Sequence, residues 1–349
     1  MCGGGYQDGQ VLNDLFAKPI LETTGTRKNW VDWAKAFGML MIIYCHCFPK
    51  GLEAWLFSFN VALFFFLSGY LTKRDVPIAT GLRKIGTMLV VPYLVLSVLK
   101  ALPEMTTGGN AGWSLLGILL GFNSLHDVMG CGKLWFVFTL IVIKVLFLFF
   151  GNKRQGRITM LLICIVGSII YNQFDSDMSW GLVDVLISMP FFLAGHACRE
   201  WQPFERLMAA GREASIGWSV AAIIVLTAVT YIVSYFNGWA YLFEAHYGRS
   251  IILFAIGATT GIAAVLVMAA KLDKRSSKAC RYVSVGSIVT LVYHTDVLHP
   301  FTKWIGQQDF STVVTDGALL AASLLTLLVF IPITMLLSHY LPFIVGGRK

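Results

Sequence analysis

Apolar residues run along this chain in long unbroken stretches, with none of the alternation that marks strands facing lipid on one side. Stretches near the ~20 residues that cross a bilayer predict helices over 30–48, 52–72, 82–102, 134–150, 158–172, 180–198, 215–235, 250–270, 282–300 and 316–342. In hydrocarbon every backbone N–H and C=O must be paired internally, so the choice lies between helices and a closed barrel, and unbroken runs select helices. The expected fold is an all-α polytopic transmembrane helical bundle of about ten spans. Trp113–Phe122 is apolar but too short to cross, and reads as re-entrant or interfacial. No internal repeat or Pro-rich linker divides the chain, which gives a tail over 1–29, one transmembrane domain over 30–343 and a second tail over 344–349.

Composition agrees with lipid as the main solvent. Of 349 residues 56% are hydrophobic and 13% charged, with a mean hydropathy of +0.70, which excludes an ordinary soluble enzyme. The net charge of +8 could suggest nucleic acid, but the basic residues are spread over short inter-helix segments with no single patch or arm. Topology accounts for them. Twenty of the 27 Lys and Arg fall in the first tail, 73–84, 151–157, 199–213, 271–281 and the last tail; the alternate connections hold only Lys50, Lys100, Lys133, Arg249 and Lys303, and Lys35 and Lys144 lie inside spans. The positive-inside rule then puts both termini in the cytosol, in a multi-pass protein of the cytoplasmic membrane. The first 29 residues are Gly-rich and polar without an apolar signal core, and Cys2 occupies the place where myristoylation requires glycine. Seven cysteines, of which Cys45, Cys47, Cys164 and Cys198 fall in or beside apolar runs, predict no structural disulfide.

Ionisable residues inside spans cost roughly 2.5–3.5 kcal/mol each on insertion scales and mark interior sites. Asp32, Lys35 and His46 fall within about 60° of arc on the first helix, one polar stripe. Asp32 and Lys35 also read as an interfacial ion pair. His46, near the outer end, is a neutral base at working pH with an ordinary imidazole pKa near 6.5, or a hydrogen-bonded packing residue. Cys45 and Cys47 point roughly 200° apart and cannot share a metal ion with His46, so no metal is expected. Leu63-Phe64-Phe65-Phe66-Leu67-Ser68-Gly69-Tyr70 places a small-residue step in an aromatic run, which permits close helix packing. Lys73, Arg74, Arg83 and Lys84, ahead of Pro92-Tyr93, satisfy the topology rule or clamp a polyanion.

These residues together resemble the integral-membrane acyltransferase 3 superfamily, especially its fucose-acetylase-like and O-antigen acetylase-like branch. The likeness rests on Trp30-Val31-Asp32-Trp33-Ala34-Lys35-Ala36 with His46, on Phe64-Phe65-Phe66-Leu67-Ser68-Gly69-Tyr70, on Arg83-Lys84 leading to Val91-Pro92-Tyr93, on Leu134-Trp135-Phe136, and on Gly286-Ser287 with Tyr293-His294. The chain departs from the family where Lys84 stands in place of a second arginine, and where Arg27 falls one residue off the commonest spacing.

The resemblance implies a membrane O-acyltransferase, acting with acetyl-CoA or another acyl-CoA as co-substrate, that delivers the acyl group to a hydroxyl of a cell-surface or lipid-linked glycan. His46 becomes the expected general base. Arg74, Arg83 and Lys84 would engage the donor's phosphates, while Asp32 organises the donor entrance with Lys35 or Arg83. Asp32 lies about 21 Å along the helix from His46, too far to orient its ring. Ser68 is expected to stabilise an oxyanion or to pack, and Trp135 to stack a sugar, wall the donor tunnel or sit in the interfacial belt. Tyr293, His294 and Asp296, with His299 nearby, are expected partners of the base or contacts to the acceptor. His196, His126 with Asp127, and the solvated pair Asp175 and Asp177 get no catalytic role. Partners would be membrane lipid and the glycan, with no nucleic acid; a homodimer is the default assembly. Two rivals remain: a secondary transporter or flippase of a glycan-related solute, which suits buried charge but lacks visible two-fold repetition, and a non-catalytic subunit of a glycan-assembly complex.

Overall fold

The computed structural model describes residues 27–105, 116–117, 119–121, 134–173 and 180–347. The first 26 residues, half of Trp113–Phe122, Cys131, Lys133, His126 with Asp127, and Asp175 with Asp177 lie outside them. Each of the ten predicted segments is largely helical, although 52–72 breaks into two helices at Ser58–Phe59 and 282–300 breaks at Gly286. The helices are α1 Asn29–Cys45, α2 Glu53–Phe57, α3 Asn60–Leu71, α4 Ile78–Ile85, α5 Val91–Met105, α6 Trp135–Phe150 and α7 Arg154–Tyr171. They continue as α8 Gly181–Glu200, α9 Gln202–Glu213, α10 Ile216–Asn237, α11 Ile251–Lys271, α12 Lys278–Val285, α13 Ser287–Gly306 and α14 Thr312–Tyr340. Among the described residues seven helical stretches are long and apolar enough to cross a membrane: Glu53–Leu71, Ile78–Leu102, α7, α8, α10, α11 and α14. The other three predicted spans are helices that fall short of that standard: α1 has 17 residues, α6 has 16, and α13 is less apolar.

Local chemistry explains the boundaries. Ser215, Ser250 and Ser277 each accept a hydrogen bond from the backbone N–H three residues on, so α10, α11 and α12 begin at side-chain caps. Between α4 and α5 the helix widens to π geometry over Gly86–Val90. Pro92 cannot donate to the carbonyl of Met88 and its ring crowds that carbonyl, and a wider turn relieves both effects. α9 is an element the basic 199–213 segment concealed: Pro203 lies in its first turn, Phe204 and Met208 are buried, and Glu205 and Arg212 flank them and pair with residues of the bundle.

α3 and α8 form the centre of the bundle. They cross at backbone contact, because a Cβ on Gly69 would stand 1.9 Å from the Phe192 carbonyl oxygen, and one on Gly195 would stand 1.9 Å from that of Phe66. The small-residue step in the aromatic run is therefore a packing device, as expected where lipid offers no hydrophobic drive and close van der Waals contact holds helices together. α10 and α11 pack beside α2 and α3, linked by the Thr230 and Thr260 hydroxyls at 2.8 Å and by Ser234 to Ser58 at 3.1 Å. α7, α10 and α14 turn large apolar side chains outward, among them Ile163, Ile224 and Leu325, as a bilayer requires.

Candidate active site

α1 carries polar groups at both ends. His46 closes the helix one residue after its last turn, held by its own N–H to the carbonyls of Ile42 and Ile43. Its ring Nδ1 lies 2.7 Å from the Ile42 carbonyl oxygen. A carbonyl can only accept, so Nδ1 carries the hydrogen and Nε2 is the basic nitrogen of the neutral ring. His294, fully buried in α13, is arranged the same way: its Nδ1 lies 3.0 and 2.9 Å from the carbonyls of Thr290 and Leu291. The two imidazoles meet edge to face with centroids 4.7 Å apart.

Beside His46 lies a cavity of about 60 Å³ whose walls include Met39 of α1, Phe64 of α3, Trp135 and Phe136 of α6, and Ser287 and Leu291 of α13. That is room for about two waters at ~30 Å³ each, or for a two-carbon acyl group, and far too little for a coenzyme. A structured connection, residues 238–250, reaches over this end. Its Phe243 packs on Trp135 with centroids 5.6 Å apart, and its Trp239 packs on Phe57, which in turn touches His46. Glu244 and Ala245 hold positive φ values of 58° and 52°, a conformation that costs non-glycine residues free energy. The connection is pinned by the Asp184 carboxylate, which accepts the Glu244 N–H at 2.6 Å, and by the Asn172 amide donating to the Ala245 carbonyl at 2.9 Å.

The opposite end is rich in paired charge. Arg27 grips Asp32 with two 2.7 Å hydrogen bonds in the fork geometry that suits guanidinium and carboxylate. The hydrogen-bonded partner of Asp32 is thus Arg27, which precedes the helix by two residues and folds back onto its first turn, and Lys35 lies within reach of the same carboxylate's charge without an ion pair. The start of α1 is capped from a distance, the Trp30 N–H donating to Asp273 at 2.9 Å, which also takes Arg212 at 2.6 Å. Lys28, Tyr70 and Glu205 form a hydrogen-bonded trio. Burial pushes the Glu205 carboxyl up, but the hydrogen bonds from Lys28 and Tyr70 and the nearby positive charges outweigh it and leave the group below the usual glutamate value. Arg74 pairs with Glu200, which also meets Arg157 at 3.6 Å and the His196 Nε2 at 3.4 Å. Two guanidiniums on one carboxylate leave this cluster positive.

Between the ends, Lys144 of α6 donates to the Thr72 hydroxyl at 2.9 Å and lies close enough to Lys35 for the two charges to repel. Neither ammonium has a carboxylate at ion-pair distance among the described residues. Arg83 and Lys84 are exposed on the last turn of α4.

The structure thus brings His46, His294 and Trp135 into one place and leaves other expected members elsewhere. Ser68 lies a turn beyond Phe64 toward the basic end, its carbonyl accepting from Thr72. Tyr293 and Asp296 belong to a separate group around Lys100, which pairs with Asp296 and lies 5.3 Å from the Tyr293 ring. Lys144, Glu53 and the 238–250 connection were not assigned from the sequence. A single Lys in the otherwise apolar run Trp135–Phe150, and the aromatic density of Trp239, Tyr241, Phe243 and Tyr247, were the available signals.

A bundle of apolar helices with a histidine pair at one end and a cationic cluster toward the other defines a polytopic helical membrane protein with an internal polar site. More specifically, the chain belongs to the acyltransferase 3 family: the model of its acyltransferase domain matches residues 28–341. No curated protein and no solved structure matches the chain.

Proposed function

We propose that this protein transfers an acyl group, acetyl by the size of the cavity, from acyl-CoA entering at the basic end to a hydroxyl of a cell-surface or lipid-linked glycan reaching the other end. The observation that carries the reading is the His46 ring, whose Nε2 is kept basic by a backbone carbonyl beside a cavity that fits a two-carbon group. His46 takes the proton of the sugar hydroxyl as its oxygen attacks the thioester carbonyl. The C–S bond breaks, and the proton returns from Nε2 to the departing CoA thiolate. His294 shields the imidazolium that forms transiently. No acyl-enzyme is needed, since donor and acceptor meet at one carbon.

Donor binding falls to the unpaired cations. Lys35 and Lys144, with Arg83, Lys84 and the positive cluster around Arg74, suit diphosphate and 3′-phosphate oxygens. Lys35 lies eleven residues before His46, or about 17 Å of helix, so an extended pantetheine arm anchored there carries its thioester toward the histidines. The basic end would face the cytosol, with both termini on that side, in the cytoplasmic membrane. The direct test is CoA release and acyl-glycan formation by purified protein: His46→Ala should abolish both, and gradient-driven solute uptake without donor turnover would indicate a transporter instead.

A further inference from the structure

A second and larger cavity opens at the His46 end of the bundle. It measures about 190 Å³ and is lined by Glu53 and Trp55 of α2, Tyr231 and Tyr235 of α10, and Trp239 just beyond α10. At ~30 Å³ per water this is the bulk of about six waters, close to that of one pyranose ring. Its wall is shared with the histidine site, because Trp239 meets Phe57 with centroids 5.4 Å apart and Phe57 meets His46 at 6.4 Å.

The cavity is a constructed feature. Gly238, at φ +74°, turns the chain off the end of α10. The Asn237 side chain then donates to the Tyr247 carbonyl at 2.7 Å and accepts the Ser250 N–H at 2.8 Å, which fixes both ends of the connection that presents Trp239. Its polar groups are few and placed. Glu53 has no ion-pair partner among the described residues, and the buried Trp55 indole N–H has no acceptor among them. Trp239 is 46% exposed and Tyr235 74%. Interfacial belt aromatics spread around a protein's circumference, whereas these rings line one cavity together with Glu53. Aromatic faces stack on the C–H face of a sugar, and a carboxylate accepts two of its hydroxyls. A concave aromatic pocket with one or two convergent polar groups is the usual form of a small-molecule site.

We infer that this cavity is the acceptor subsite and holds a neutral pyranose, stacked on Trp239 and Tyr235 with Glu53 accepting its hydroxyls, so that another hydroxyl of the same glycan reaches past Phe57 to His46. The inference rests on the acyltransferase reading above. It is tested by CoA release from acetyl-CoA by the purified full chain, offered methyl glycosides of glucose, galactose, fucose and N-acetylglucosamine in turn. At least one glycoside should accelerate release by the wild type. Trp239→Ala should then raise its KM roughly tenfold, the worth of one aromatic contact, and Glu53→Gln should raise it several-fold, while KM for acetyl-CoA stays within about twofold. Thermal unfolding in the same detergent checks that both variants are folded, and Trp239→Tyr should restore most of the affinity. An unchanged glycoside KM in both variants, with turnover still lost in His46→Ala, overturns the subsite and leaves the acyltransferase standing. Turnover that depends on His46 but responds to no glycoside overturns the sugar assignment. Absence of any His46-dependent turnover overturns both.

Discussion

Replacing Gly69 by alanine perturbs the tightest contact in the bundle. The new methyl carbon would lie 1.9 Å from the Phe192 carbonyl oxygen, and ordinary contact begins at about 3.4 Å, so α3 and α8 must separate by roughly 1.5 Å. The obstacle is backbone on a helix and cannot rotate away. Overpacking of this kind costs about 1–3 kcal/mol, and in lipid the separated helices lose van der Waals contacts that no hydrophobic drive replaces. The consequence reaches the site, because α3 supplies Phe64 to the His46 cavity while α8 supplies the Asp184 that pins the 238–250 connection. Gly195→Ala makes the mirror-image clash with the Phe66 carbonyl. One separation relieves both, so the double variant should lose clearly less than the sum of the singles. Denaturant titration in detergent micelles, followed by tryptophan fluorescence, reads all three. Single variants within a few tenths of a kcal/mol of wild type, or strictly additive losses, would refute backbone contact at this crossing.

Further outcomes follow from the same geometry. Lys144→Met should raise KM for acyl-CoA roughly 10- to 150-fold, the worth of one charge-assisted hydrogen bond at about 1.5–3 kcal/mol, with Lys144→Arg intermediate; steady-state kinetics reads this, and an unchanged KM removes Lys144 from the donor site. His294→Phe keeps an aromatic ring against His46 but loses the imidazole, and should lower kcat by about 2- to 10-fold, well short of His46→Ala; equal losses in the two would make His294 the base or its equal. Glu205 titrates below the usual glutamate value in the folded protein, so its stabilisation is present above the unfolded value of about 4.3 and is lost as pH falls through the folded one. Because the pair with Lys28 is about half exposed, the effect should stay under about 1 kcal/mol, and Glu205→Gln should flatten the acid limb of a thermal unfolding profile below about pH 4. Identical acid limbs would show that the trio contributes nothing.

The helices were legible because lipid demands internally bonded backbone and continuous apolar length, both one-dimensional properties. Seven of the ten predicted segments meet that standard, and the other three are helices that are shorter or less apolar. α9 was not legible, since an amphipathic helix among basic residues has the composition of a loop, and only burial of Phe204 and Met208 distinguishes it. Within the site, His46 stood out as a titratable group in a span, and the structure adds the Ile42 carbonyl that sets its tautomer. His294 was one of several expected partners of that base, and the structure singles it out from Tyr293 and Asp296, a choice that depends on how helices from opposite ends of the chain meet. The ion pair of Asp32 with Arg27, five residues away, was not legible, because the choice among Arg27, Lys35 and Arg83 as its contact depends on how the chain enters α1. Trp239 and Glu53 were missed because a residue at the start of a helix and one in a distant connection become a pocket only when α2 and α10 lie side by side.

Transfer across a sealed membrane tests the proposed reaction most directly. Proteoliposomes carrying glycan acceptor inside would receive radiolabelled acetyl-CoA outside, and labelled glycan would be recovered after lysis. Molecules oriented with the basic end outward should label the enclosed acceptor, and His46→Ala should cut the rate by at least 10²–10⁴-fold, the usual contribution of a general base, with protein level and unfolding temperature unchanged. Wild-type rates in His46→Ala, or label appearing only when donor and acceptor share a compartment, would contradict it.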